Sequence, residues 1–241
     1  MCLLVMPDHP LDGARKRIER ADRHLREVID EIDAFRRQNE NCITVEYDPK
    51  TKNFNIGGQH AARVPQCISL PVGDCIYNFR AALDYIIYEL AIFDQKGKVM
   101  DGTQFPIDDL PAQFQRHRQT YLNGLTEAHK DIVETYQPYN GVDWTKTLRT
   151  ISNPDKHRHL TVLGGDWLAD VVLTAGKPGS FKGRPGKVFE GVGPNGEDVH
   201  MERAYATTIG FSDGLPVIET LQNLKAQVAD TIDAFVPEFN V

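Results

Sequence analysis

The sequence predicts an α+β fold: a helical bundle with an antiparallel β meander beside it and a C-terminal helix. Three observations predict it. Apolar residues recur every three or four positions through most of residues 10 to 158, the pattern turns strand-like between Gly, Pro and Asn clusters at about 160 to 211, and helical spacing returns at 215 to 236. Three long amphipathic segments each need a partner for a full apolar stripe, and packing on one another within a single domain, 1 to 241, satisfies all three.

Leu11, Ala14, Ile18, Ala21, Leu25, Val28, Ile32 and Phe35 place one stripe on a helix over roughly 10 to 38. Segments 42 to 47 and 53 to 56 flank Asp48-Pro49-Lys50-Thr51 and read as a short hairpin. The helix over 68 to 93 carries Val72, Ile76, Phe79, Leu83, Ile86 and Leu90, while Cys75, Ala82, Ile87 and Ala91 widen its apolar surface, which marks it as central. After Phe105-Pro106-Ile107 come shorter helices near 110 to 118, 126 to 136 and 143 to 152, the third opened by Asp143 as a cap. Strands follow at 160 to 163, 167 to 174, 187 to 192 and 199 to 211. Past Ser212-Asp213-Gly214, the residues Val217, Leu221, Leu224, Val228, Ile232 and Phe235 form the stripe of the last helix.

A chain of 241 residues can bury a sizeable core, and 41% hydrophobic with 25% charged residues excludes wholesale disorder. The net charge of −7 argues against a strongly basic nucleic-acid binder while leaving room for a local basic patch. Cysteines at 2, 42, 67 and 75 form no Cys-x-x-Cys pair and no zinc spacing. Cys67 and Cys75 share one helix, about 12 Å apart and too far to bridge, so reduced thiols in a cytoplasm are the expectation. The apolar start, 1 to 6, is cut short by Asp8 and has no basic leader or cleavage site, so neither a signal peptide nor a membrane anchor is expected. Dinucleotide, Walker A, His-Glu-x-x-His, Gly-x-Ser-x-Gly and EF-hand patterns are missing, which lowers the odds of those chemistries.

Chemistry concentrates in two places. On the central helix, Asp74, Asn78, Ala81 and Tyr85 line one side, and Arg80 and Asp84 make an i, i+4 pair on another. Asn153-Pro154-Asp155-Lys156-His157-Arg158-His159 closes a later helical block. Each has a purely structural explanation: an ion pair at the edge of a bundle for the first, and basic groups favouring a helix C-terminus for the second. A metal held by Asp155, His157 and His159 is the weakest alternative, and no metal or cofactor is expected. Lys177, Lys182, Arg184 and Lys187 with Phe181 form a basic, Gly- and Pro-rich loop that can follow a phosphate backbone and stack on a base, or simply join two strands in solvent. Arg15, Lys16, Arg17, Arg20, Arg23 and Arg26 are interrupted by Glu19 and Asp22 and read as a solvated face.

The run Asp74-Cys75-Ile76-Tyr77-Asn78-Phe79-Arg80-Ala81-Ala82-Leu83-Asp84-Tyr85, with Gln137-Pro138-Tyr139 and Asp155-Lys156-His157-Arg158 downstream, resembles a family of uncharacterised bacterial proteins over about residues 10 to 163. In that family the first run typically ends in His where this chain has Tyr85. More distantly, an Arg followed after four to six residues by His on a helix resembles the HEPN superfamily, helical domains that often act as metal-independent ribonucleases in bacterial defence and toxin systems, usually as dimers. That resemblance implies Arg80 as a catalytic residue and puts the acid/base imidazole in doubt, because position 85 is Tyr.

Cleavage of RNA through its 2′-hydroxyl needs a base that works near neutrality and a cation for the charge growing on phosphorus. Tyrosine is a poor base there, so His157 is the expected replacement, with Lys156 and Arg158 as phosphate contacts and Asp74, Asn78, Asp84, Tyr85 and Asp155 in support. Two functions follow: an RNA-directed protein of metal-independent ribonuclease type, or a non-catalytic helical interaction module that binds a protein partner or a second copy. An open cleft shared by Arg80 and His157 favours the first, and closed, fully paired clusters favour the second.

Overall fold

The computed structural model describes residues 9–38, 43–48, 53–58, 64–98, 101–157, 163–174, 189–192, 198–211 and 214–239, and side chains at 9–35, 37–38, 64–98, 101–152, 209–211 and 214–239. The α+β class with a β meander is overturned: the protein is mostly helical. Among the described residues six α-helices carry it, α1 (Asp12–Gln38), α2 (Gln66–Asp94), α3 (Pro111–Thr120), α4 (Glu127–Thr135), α5 (Asp143–His157) and α6 (Val217–Phe235). Where burial is described, Ile209 and Gly210 are the only strand positions. The reason is physical: the described apolar core lies almost wholly on helices and the turns between them, so helical stripes rather than alternating strand positions supply its buried side chains.

The chain divides into two compact units, one of 1–28, 69–160 and 218–241, the other of 29–68 and 161–217. In the first, Ala14, Ala21 and Leu25 of α1, Phe79, Leu83, Ile86 and Leu90 of α2, and Leu221, Leu224, Val228, Ile232 and Phe235 of α6 are buried. Burying each such side chain contributes about 1.5–3 kcal/mol before conformational entropy is charged against it. Cys75, Ala82, Ile87 and Ala91 are also fully buried, so α2 is enclosed on more than one face. Small residues let helices approach closely there: Cys75 Sγ donates to the Ala21 carbonyl of α1 at 3.4 Å, and burial pushes the Cys75 thiol up to about 12. Phe114, Val133, Leu148 and Ile151 bring α3, α4 and α5 into the same core. At its C-terminus α2 stops where Lys96 and Gly97 take φ of 54° and 90°, and the Gly97 N–H bonds the Ile92 carbonyl at 2.8 Å.

In the second unit β1 (Ile43–Asp48) pairs antiparallel with β2 (Asn53–Gly58). The strands β3 (Leu163–Thr174), β4 (Phe189–Val192) and β5 (Asp198–Gly210) are ordered β3-β5-β4. A meander keeps sequence neighbours adjacent, whereas here β4 pairs only with β5, which is the central strand. No helix among the described residues is long and apolar enough to cross a membrane.

Charged pairs tie α6 to α1. Lys225 Nζ donates to Asp22 Oδ1 at 2.6 Å, and Arg15 reaches Asp233 at 3.3 Å. The Lys225 hydrogen bond, followed by that of Arg26, holds the Asp22 carboxyl below its ordinary 3.8. A lowered carboxylate pKa stabilises the fold above the unfolded-state value, and that contribution is lost as pH falls through the folded one. Lys225→Met should therefore cost about 0.5–1 kcal/mol at neutral pH, the scale of a partly exposed pair. In urea titrations the difference from wild type should shrink as pH falls below 3.8; a constant difference down to strong acid would show that the ion pair contributes nothing.

Candidate active site

The segment joining α2 to α3 runs through the interior, with Phe105 fully buried and Ile107 nearly so. Burial leaves its peptide groups little access to water, so they need partners. Helix α2 supplies two of them one turn apart: Asp84 Oδ1 accepts the Phe105 N–H at 2.9 Å, and Arg80 Nη2 donates to the Phe105 carbonyl. Arg80 and Asp84 also bond each other at 3.2 Å, closing a three-cornered clamp around the backbone of one residue. Gln137, which is fully buried, does the same further along. Its Oε1 accepts the Asp108 N–H at 2.9 Å, while its Nε2 donates to the carbonyls of Pro106 and Val133 at 2.9 and 3.1 Å.

These restraints aim the Asp108 carboxylate. Both of its oxygens lie within 2.9 Å of His117 Nδ1 on α3. A carboxylate only accepts, so Nδ1 carries the proton and Nε2 is left as the basic nitrogen of the neutral ring. The imidazole stacks on Tyr121 at 4.5 Å between centroids, which fixes its plane. Asp108, His117 and Tyr121 line a cavity of about 160 Å³ together with Arg80, Arg149 and Ser152. Arg149 bonds Asp109 through Nη2, and its buried Nε has no partner among the described residues. Burial pushes the pKa of Arg80 down, with Asp84 and then Asp108 pulling it back up. A guanidinium keeps its charge through such shifts, so two cations line the cavity with one imidazole.

A second cavity, about 300 Å³, is lined by Arg17, Ile76, Tyr77, Ala81 and Tyr85 and shares Arg80 and Ser152 with the first. Arg17 lies over the Tyr85 and Tyr77 rings at 5.1 and 5.8 Å and donates to the Tyr85 hydroxyl at 2.9 Å. The Tyr85 ring packs on Gly13, where an added Cβ would come within 3.2 Å of it.

The residues marked out in the sequence thus fall in several places. Arg80 stands between the two cavities and Asp84 holds it, while Tyr85 belongs to the second cavity with Arg17. Asn78 is buried, donates to the Asp74 carbonyl of its own helix at 2.7 Å and accepts from Arg17 at 3.5 Å. The Asp74 side chain is 59% exposed and lies 3.9 Å from His24. Asp155, Lys156 and His157 are in the last turn of α5, but their side chains lie outside the described residues, as do Arg158, His159 and the loop residues Lys177, Phe181, Lys182, Arg184 and Lys187. His117, Asp108 and Arg149 carry no motif spacing. The available signal was Asp108 in a Pro-flanked loop nine residues before a His on the next helix. Among the described residues no cluster of three or more His, Cys, Asp or Glu is placed to hold a metal.

No family model, curated protein or solved structure matches the chain.

Because Gln137 satisfies three buried backbone groups, Gln137→Leu should strand all three, at about 1–3 kcal/mol each before relaxation. Chemical denaturation should show a loss on the order of 3 kcal/mol or more. A loss under about 1 kcal/mol would mean that the segment finds other partners.

Proposed function

We propose that the protein is a HEPN-like, RNA-directed, metal-independent ribonuclease whose base is His117. The supporting observation is the Asp108–His117 pair, 2.8 Å apart, in a cavity that also holds Arg80 and Arg149. In the proposed reaction His117 Nε2 takes the proton of a ribose 2′-hydroxyl as its oxygen attacks phosphorus. Negative charge grows on the phosphoryl oxygens, where Arg149 and Arg80 offset it. The 5′-oxygen leaves with a proton from water, giving a 2′,3′-cyclic phosphate. Asp108 holds the reactive tautomer and stabilises the imidazolium, and the clamp of Arg80, Asp84 and Gln137 holds Asp108 in turn. The imidazole that the resemblance expects at position 85 thus comes from α3, on the far side of Arg80 from Tyr85.

A second reading, a non-catalytic interaction module, draws on Leu70 and Tyr77, which are 71% and 60% exposed on α2. Cleavage of a fluorescent RNA by the purified chain separates the two. His117→Ala should lower the rate at least about 100-fold, as for loss of a positioned base. His157→Ala should keep most of the activity and a chelator all of it, since the base and both cations of this mechanism are side chains. A rate lost with His157 and kept without His117 would move the base to α5, and an inactive wild type would favour the interaction module.

A further inference from the structure

The second cavity has no part in the proton transfer just described, and its lining has its own chemistry. Tyr77 and Tyr85 present aromatic rings eight residues apart on α2, with the small Ala81 midway between them leaving room for a ligand. Arg17 of α1 holds both rings by cation–π contact and fixes Tyr85 by a hydrogen bond. Tyr77 nevertheless stays 60% exposed, an aromatic side chain left open at the edge of a cavity. Two phenol rings and a guanidinium favour a planar π system over an aliphatic chain, because stacking and cation–π attraction both need a ring.

The geometry points to a nucleobase subsite: one base stacks on Tyr77 in the cavity closed by Tyr85 and Arg17, while Arg80 and Ser152 connect it to the His117 cavity, where the adjoining phosphate sits. The inference rests on the ribonuclease reading for the phosphate, but the base site can be tested without it. Recognition is by ring faces, so any base is accepted and neighbouring sequence is not read.

Titration of the full chain with adenosine and with ribose, followed by calorimetry, tests the base site. Adenosine should bind saturably and ribose should not. Tyr77→Ala should weaken adenosine at least about fivefold, the low end for loss of a stacking ring, whereas Tyr77→Phe should retain it. The exposure of Tyr77 lets both variants fold, and their melting temperatures should match wild type. His117→Ala should leave adenosine binding unchanged. The subsite is overturned if adenosine binds no better than ribose, or if Tyr77→Ala binds it as well as wild type, even where RNA is still cut. If adenosine binding depends on the Tyr77 ring but RNA is not cut, the subsite stands and the ribonuclease reading falls.

Discussion

The structure turns on a single constraint: a largely buried loop must have its peptide groups hydrogen-bonded by side chains, because burial leaves them little water and no sheet edge pairs with them. Arg80, Asp84 and Gln137 meet that constraint between Phe105 and Asp108. Without them the path from α2 to α3 would leave several orphaned groups, each as costly as a sizeable apolar contact is favourable. The same three residues fix where Asp108 points, so stability and site geometry have a common cause.

Helix α2 shows how opposite demands share one element. Its wide apolar surface makes it the centre of the first unit, yet Asn78, Arg80 and Asp84 sit in it. Each is tolerated for a different reason. Asn78 turns back on its own helix. Arg80 and Asp84 are bound to one another and to the Phe105 backbone, which meets the general rule that a charge drawn out of water must be both paired and hydrogen-bonded. Asp74 avoids the difficulty by facing solvent.

Helix positions were legible because burial repeats with the period of the helix: the stripe from Val72 to Leu90 marks α2, and that from Val217 to Phe235 marks α6. The fold class was not. Alternation identifies extended segments such as β3 and β5 but carries no information on where the core lies or on strand order, and here the described core is almost wholly helical and β5 lies between β3 and β4. In the site, Arg80 and Asp84 were legible as neighbours because one turn of helix separates them. Asp108 and His117 were not, since they meet across a loop and a helix, where no fixed period applies. Gln137 stood in the sequence only as part of a resembling run, and its three backbone bonds depend on a fold that spacing does not specify.

The separations along the chain also sort the contacts of the site by their entropic cost. Asp108 and His117 are nine residues apart, so closing their loop costs little entropy. Arg80 reaches its carbonyl across 25 residues and Arg149 reaches Asp109 across 40, contacts that depend on the docking of α2 and α5. The carboxylate–imidazole pair is thus a nearly local feature, whereas the positive charge of the site is a property of the packed helices, and a change that loosens α2 or α5 acts on the site through its cations.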